Sequence, residues 1–480
     1  QLATAQVGII LVNINPAYRT AEVEYALNKV GCKALVTMAQ FKTSDYLGML
    51  RELAPELGRC MPGMLAAKRL PSLRTVVWID VAGQGANQPG MLRFSDWLAK
   101  GQADDPQVDA VAATLSNTDP INIQFTSGTT GFPKGATLTH RNILNNGFFI
   151  GECMKLTAAD RLCIPVPLYH CFGMVLGNLA CFTHGSTVVY PNDGFDPLTV
   201  LETVQAERCT GLHGVPTMFI AELDHPRFKE FDLSTLRTGI MAGSPCPIEV
   251  MKRVQADMHM TEVTIAYGMT ETSPVSCQSS TDTPLDKRVS TVGLVQPHLE
   301  VKIIHPETGA IVAPGETGEL CTKGYSVMHG YWGDAEKTRE AIDDEGFMHT
   351  GDLAVMDAQG YVNIVGRIKD MVIRGGENLY PREIEEFLYR HPQVQDVQVV
   401  GVPDSRYGEE LCAWIIAKPG QSVTEDDIRA FCQGQIAHYK VPRYIRFVDA
   451  FPMTVTGKIQ KFKIRETMMQ QLQLQPEQTA

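Results

Sequence analysis

Thr126-Ser127-Gly128-Thr129-Thr130-Gly131-Phe132-Pro133-Lys134-Gly135 follows the apolar stretch Ile121–Phe125 and precedes a helical pattern that starts near Thr139. Its ten residues hold four hydroxyls, three glycines and one lysine. Small residues let backbone N–H groups approach phosphate oxygens, hydroxyls donate further hydrogen bonds, and Lys134 adds a positive charge. The spacing is not that of a Walker A loop, which needs Gly, four residues, then Gly-Lys-Ser/Thr; no segment of the chain supplies one. On composition alone the competing interpretation is a Gly/Thr-rich surface turn.

Outward from this loop, short apolar runs alternate with helical patterns from Ala5 to about Thr272. Ala34–Met38, Thr75–Ile79, Thr187–Tyr190, Thr238–Met241 and Val263–Tyr267 read as buried strands. Pro197–Glu207 and Pro247–Met258 carry helical periodicity, the latter with proline at its first turn. Alternation of this kind predicts a mainly parallel sheet with helices on its faces. From Val292 to Val365 the pattern changes to short strands with turns at His305–Gly309, Pro314–Gly318 and Asp357–Gly360, which predicts a β-rich subdomain or distorted barrel.

After Arg367 a new unit begins. Tyr380–Arg390 opens a helix with Pro381 and early glutamates, strands are expected at Val397–Val402 and Leu411–Ala417, and Thr424 with Asp427 forms a capping-box pattern. The fold class is therefore α/β: a large N-terminal domain (1–366) of parallel α/β sheets plus the β-rich subdomain, a hinge (367–370), and a small α+β C-terminal domain (371–480).

The 480 residues are 44% hydrophobic and 20% charged. That composition excludes a mainly disordered chain. A formal net charge of −12 argues against nucleic acid as main partner. The 12 cysteines form no CxxC pair, and Cys163 and Cys181 read as small buried hydrophobes, as in a reducing compartment. No apolar run reaches transmembrane length. Residue 1 is Gln, and Gln1–Ile14 reads as a helix running into a strand, so the sequence is expected to be a fragment lacking several tens of residues of the first subdomain, with apolar sheet surface uncovered.

The loop Thr126–Gly135 resembles the signature of the adenylate-forming superfamily, which holds acyl- and aryl-CoA synthetases, peptide-synthetase adenylation domains and beetle luciferases. Four more motifs follow in that superfamily's order. Tyr267-Gly268-Met269-Thr270-Glu271 resembles its adenine-and-magnesium motif and Thr350-Gly351-Asp352 its ribose motif. Gly366-Arg367-Ile368-Lys369-Asp370 resembles its interdomain hinge, and Thr456-Gly457-Lys458-Ile459-Gln460-Lys461 its catalytic-lysine loop. The segments Leu168–Gly173, Ala242–Pro245 and Arg374–Pro381 look most like fatty-acyl-CoA synthetases, in particular the medium-chain group that includes acyl-CoA synthetase family member 2.

The resemblance implies ATP, Mg²⁺ and coenzyme A as cosubstrates or cofactors, and roles for individual residues. Thr126, Ser127, Gly128, Thr129, Thr130, Gly131, Phe132, Pro133 and Lys134 would hold the phosphates. Tyr267 would stack on adenine with Gly243 and Ser244 on the ring's other side, and Asp352 with Arg367 would bind the ribose. Glu271 would hold Mg²⁺, Thr270 would bond the α-phosphate, and Lys458 would lie at the carboxylate and α-phosphate. His170 would stand at the mouth of the acyl pocket. Lys369 would be the pivot, and Gly375, Gly376 and Glu377 would line the pantetheine tunnel. Taken singly, Lys458 is a surface turn, Tyr267 and His170 are core residues, and Asp352 and Arg367 are a turn aspartate and a surface arginine.

The implied reaction is AMP-forming acyl-CoA synthesis from a fatty, medium-chain monocarboxylic acid. The alternatives are an acyl-AMP ligase loading a carrier protein, and an aryl-CoA ligase. The pocket candidates Met174, Val215–Phe219, Met269 and Val275 include no lysine or arginine, which favours an unbranched or aromatic monocarboxylate. A cytoplasmic location, or a mitochondrial one in a eukaryote, and a homodimeric assembly are compatible with the sequence.

Overall fold

The computed structural model describes residues 1–81, 87–126, 133–244, 246–375, 377–454 and 457–474. Two compact units emerge: residues 1–142 with 328–340, and residues 143–327 with 341–480.

In the first unit, strands Leu11–Asn13, Pro120–Thr126, Lys134–Thr139 and Gly330–Tyr331 form one four-stranded sheet in that order. Leu11–Asn13 runs parallel to Pro120–Thr126, while Pro120–Thr126 and Lys134–Thr139 are antiparallel, with Thr126 opposite Lys134. The phosphate-loop candidate therefore joins two arms of a hairpin. This differs from a loop leading directly into a helix: the helix His140–Met154 starts one strand later. The strand forms because Gly135 to Leu138 are buried, and Gly135 leaves the room that Ile123 and Trp332 fill. The same unit holds the parallel strands Ala34–Met38, Thr75–Ile79 and Leu92–Arg93, packed through Leu50, Leu53, Leu70 and Val76. The helix Leu2–Gln6 and strand Leu11–Asn13 occupy the stretch read as helix-into-strand.

The second unit is built on a seven-stranded sheet. Thr187–Val189, Arg161–Cys163, Gly211–Leu212, Thr238–Ala242 and Glu262–Gly268 are parallel neighbours; Val275–Gln278 and Leu294–Val295 continue antiparallel. Helices Pro197–Ala206, Pro216–Leu223 and Ile248–Asp257 cover it, sharing a core with Val204, Phe219 and Val254. Pro247 is the cap before its helix rather than part of the first turn. Burying each such side chain contributes about 1.5–3 kcal/mol.

The β-rich stretch is an antiparallel sheet of Leu299–Ile304, Thr317–Gly324, Met348–Met356 and Val362–Arg367. Beyond it, Val372–Arg374, Glu377–Leu379, Val394–Asp404, Gly408–Ala417 and Tyr444–Phe447 form another sheet, with its own core of Val397, Leu411, Ile415, Ile384 and Ile428. Pro381 opens its helix, and Thr424 with Asp427 closes a reciprocal capping box. Cys163 and Cys181 are buried, and all 12 cysteines are free.

Candidate active site

Within the second unit, six predicted residues converge: Tyr267, Asp352, Arg367, Lys458, Glu271 and His170. Tyr267 is the penultimate residue of the last parallel strand and donates from its hydroxyl to Asp352 Oδ2 at 2.7 Å. Arg367, at the end of Val362–Arg367, donates from Nε to Asp352 Oδ1 at 3.0 Å. Asp352 is only 7% exposed. Burial raises its carboxyl above the usual range, against the opposing pull of Arg367, Tyr267 and Lys458. The phenol of Tyr267 is pushed up by burial and by the Asp352 charge.

Lys458 reaches the same place on a tight hairpin. Thr454 N–H donates to the Lys458 carbonyl at 2.7 Å, and Gly457 N–H to the Thr454 carbonyl at 3.0 Å. Thr454 Oγ1 accepts from Lys458 N–H at 3.0 Å. Gly457 has φ +78°, and a Cβ there would stand 3.0 Å from Val215 Cγ2, so a side chain is disfavoured twice over. The Lys458 ammonium is lowered by burial and by Arg367, while Glu271, Asp352 and Cys171 pull the other way. One cation thus sits among two carboxylates and a guanidinium.

Glu271 is 5% exposed and lies on a short turn, Thr270–Thr272, with Thr270 half-buried beside it. His170 is held by Phe172 N–H donating to Nδ1 at 3.1 Å. That bond leaves the proton on Nε2. Burial and the Lys458 charge push its pKa down to about 3, so the imidazole is neutral at physiological pH. The chain then enters a buried π-helix, Phe172–Leu179, which carries Met174. Such helices are rare and recur at functional sites.

Other predicted residues lie elsewhere or outside the described residues. Thr126 and Lys134 flank the loop in the first unit; Thr126 Oγ1 donates to the Lys134 carbonyl at 3.5 Å, and Lys134 Nζ stands 4.3 Å from the Tyr331 ring centre. Pro133 is half-buried next to them. Ser127, Gly128, Thr129, Thr130, Gly131, Phe132 and Gly376 lie outside the described residues. Gly243 approaches Val215, where a Cβ would meet Cγ1 at 3.1 Å, and Ser244 follows it half-buried. Lys369 is exposed on the turn Ile368–Asp370. Gly375 donates its N–H to the Tyr407 carbonyl at 2.8 Å, and Glu377 is exposed on its strand.

The structure adds participants that sequence reading passed over. Cys171, a thiol raised to about 12 by burial and the Glu271 charge, bonds Thr270 through its side chain. It adjoins His170 in sequence, but a cysteine in an apolar run carries no signal of that. Asn146 brackets Val275, donating from Nδ2 to its carbonyl at 2.8 Å and accepting its N–H at 2.9 Å. No spacing rule connects residues so far apart. Glu319, Cys321 and His349 bring their donor atoms within 4.8 Å of one another. The imidazole Nδ1 there faces Glu319 Oε2 at 3.1 Å, an ordinary hydrogen bond.

Residues 1–332 match the family model of AMP-binding enzymes, and residues 383–458 that of the AMP-binding enzyme C-terminal domain. YngI of Bacillus subtilis is 52% identical across 100% of this chain and 86% of its own length. The mitochondrial medium-chain acyl-CoA ligase ACSF2 of Bos taurus is 49% identical over 99% of this chain and 77% of its own. Among solved structures, the anthranilate CoA ligase AuaEII in complex with anthranoyl-AMP superposes with a TM-score of 0.84 at 27% identity, covering 98% of this chain and 84% of the other. ATP-bound MatB from Rhodopseudomonas palustris gives 0.79 at 30% identity, covering 97% and 85%.

Proposed function

Because this chain belongs to the AMP-binding enzyme family, we propose that it is an AMP-forming acyl-CoA synthetase acting on a fatty, medium-chain monocarboxylic acid. The observation that carries this reading is the convergence of Lys458 with Glu271, Asp352 and Arg367. In the first step a carboxylate oxygen attacks the α-phosphorus of ATP; the bond to the bridging oxygen breaks and pyrophosphate leaves. Two anions meet in this step, so a positive charge already in place offsets both their approach and the charge that develops. Lys458 supplies it, and in its desolvated setting a charged ammonium attracts the developing negative charge more strongly than it would in water.

Tyr267 packs against the adenine, and Asp352 with Arg367 binds the ribose hydroxyls. Asp352 already accepts from Tyr267 and Arg367, which sets its orientation before the sugar arrives. Neutral His170, with its proton on Nε2, stands beside the reacting carboxylate without adding a second positive charge. A buried carboxylate next to a threonine hydroxyl suits Mg²⁺, which binds through few protein carboxylates plus substrate phosphates. Glu271 would hold the ion, which neutralises phosphate charge. The Thr126–Lys134 loop would take phosphate oxygens.

In the second step the coenzyme A thiolate attacks the acyl carbon; the C–S bond forms, the acyl–phosphate bond breaks, and AMP leaves. We read residues 371–480 as the part that withdraws Lys458 about Lys369 and brings Gly375, Gly376 and Glu377 to the pantetheine arm. The apolar Met174, Met218 and Val275 suit an alkyl chain. The relatives named as mitochondrial support the mitochondrion as the compartment, and the cytoplasm is the alternative reading. Among the described residues, no helix is long and apolar enough to cross a membrane.

The test follows pyrophosphate release with ATP, Mg²⁺ and acids from acetate to palmitate plus benzoate, with and without coenzyme A, and identifies products by mass spectrometry. Acyl-CoA and AMP from medium-chain acids are expected. Acyl-AMP that never passes to coenzyme A would make the protein a carrier-loading ligase, and no pyrophosphate with any acid would overturn the reading.

A further inference from the structure

We propose that Glu319, oriented by His349, is a positioning residue for Asp352, the ribose acceptor of the reading above, on which this inference rests. The reason begins with strand register. Glu319 pairs with Leu353 and Cys321 with His349. Between those pairs a single residue, Leu320, stands opposite Thr350, Gly351 and Asp352, so the Met348–Met356 strand bulges there. Bulges beside active sites re-aim side chains, at the cost of ladder hydrogen bonds. Gly351 has φ +70°, the conformation this bulge requires.

The backbone groups released by the bulge find side-chain partners. Gly351 N–H donates to Glu319 Oε1 at 3.0 Å. Thr350 Oγ1 donates to the Leu320 carbonyl at 2.7 Å and accepts from Asp352 N–H at 3.1 Å. Without Glu319, the Gly351 N–H would be left without its acceptor one residue from Asp352. An unmet donor in this half-buried setting favours relaxation of the bulge back towards regular pairing.

Glu319 is itself held. His349 Nδ1 stands 3.1 Å from Oε2, and its Nε2 stands 3.5 Å from Asp343 Oδ2. Asp343 is fixed by Phe347 N–H at 2.8 Å and by Lys302 Nζ at 3.4 Å. Cys321 Sγ lies 3.6 Å from the same Nδ1. The polar contacts thus run from half-buried Lys302 through Asp343 and His349 to Glu319, which is 9% exposed. Each link fixes the next, and the last fixes the backbone of the ribose acceptor. Glu319 touches no reacting atom and acts through Asp352 alone.

The experiment measures kcat/KM with ATP and with 2′,3′-dideoxy-ATP, which lacks both hydroxyls that Asp352 would accept from. Wild type is expected to prefer ATP by about 10–100-fold, the worth of charge-assisted hydrogen bonds, and Asp352→Ala to abolish that preference. Glu319→Ala is expected to lower the preference about tenfold by reducing activity with ATP while leaving the dideoxy activity unchanged. Glu319→Gln keeps a carbonyl for Gly351 N–H and restores the preference to within about threefold. If Glu319→Ala fails to fold, His349→Ala gives the same selective loss in smaller measure. An equal loss with both nucleotides in a folded variant, or no change in preference, would overturn the inference. A wild-type preference that survives Asp352→Ala would instead overturn the ribose reading beneath it.

Discussion

Asp352 and Lys458 face the same centre with opposite charge, yet they are mounted in opposite ways. Asp352 sits in the middle of an antiparallel sheet, on a bulge braced by Glu319, His349 and Thr350 and flanked by strands on both sides. Lys458 sits on a hairpin with local backbone bonds among its described residues, Thr454 N–H to the Lys458 carbonyl and Gln460 N–H to the Pro452 carbonyl. Polar contacts also tie that hairpin's wider segment to the rest of the second unit. Arg382 Nη1 donates to the Ile364 carbonyl at 2.6 Å, Gln395 Nε2 to Asp224 Oδ2 at 2.9 Å, and Ile248 N–H to Glu386 Oε2 at 3.4 Å. On the proposed function, the group that binds the nucleotide through both half-reactions is built into a sheet, and the group needed for one half-reaction is carried on a hairpin.

That contrast is broken most severely at Lys458. Lys458→Ala is expected to slow adenylation by about 10²–10³-fold, as for loss of a preorganised charge at a transition state, read as the rate of pyrophosphate release before the first turnover completes. Asp352→Ala is expected to raise KM for ATP by about 10–100-fold through lost charge-assisted hydrogen bonds, with KM for the acid unchanged in steady-state assays. Gln395→Ala probes the tie rather than the charge. It is expected to slow adenylation by about two- to fivefold, the worth of one partly exposed hydrogen bond, with acyl transfer from supplied acyl-AMP unaltered. Equal slowing of both steps would mean that contact is general support.

The smallest effect concerns the wall behind His170. His213 donates from Nε2 to the Leu176 carbonyl of the π-helix at 3.0 Å and accepts Ile240 N–H on Nδ1 at 3.1 Å. The bond accepted on Nδ1 needs the neutral ring, whereas the Nε2 donation does not. Burial lowers its pKa from 6.5 to about 4, so the unfolded chain binds the proton more readily. Its contribution is full above pH 6.5 and is lost as pH falls towards about 4. Urea midpoints measured from pH 7 to pH 4 should fall across that window, and less steeply in His213→Asn; parallel slopes would contradict the assignment.

Much of this arrangement was legible in the sequence because it is local. The strands Ala34–Met38 and Thr75–Ile79 emerged with their expected bounds, and so did the capping box at Thr424. The meeting of Tyr267, Asp352, Arg367 and Lys458 was implied by the family resemblance and is seen in the hydrogen bonds and charge contacts of the fold. What stayed hidden depends on pairing across the fold. The Lys134–Thr139 arm was read as loop and helix approach because its six residues offer few strand formers; its partner Pro120–Thr126 makes it a strand. Glu319 and Asn146 support the site through backbone groups of distant segments, and a backbone partner leaves no trace in residue type. Cys171 was masked by its apolar neighbours.

The most direct test of the contrast is a single-turnover acyl transfer, in which pre-formed medium-chain acyl-AMP and coenzyme A are mixed with wild type, Lys458→Ala and Asp352→Ala at saturating coenzyme A. The account predicts that Lys458→Ala forms acyl-CoA within about threefold of wild type, while Asp352→Ala is slower by about tenfold or more at subsaturating acyl-AMP because the ribose has lost its acceptor. Transfer slowed by Lys458→Ala as strongly as adenylation would contradict it, and would place the lysine at the centre in both steps.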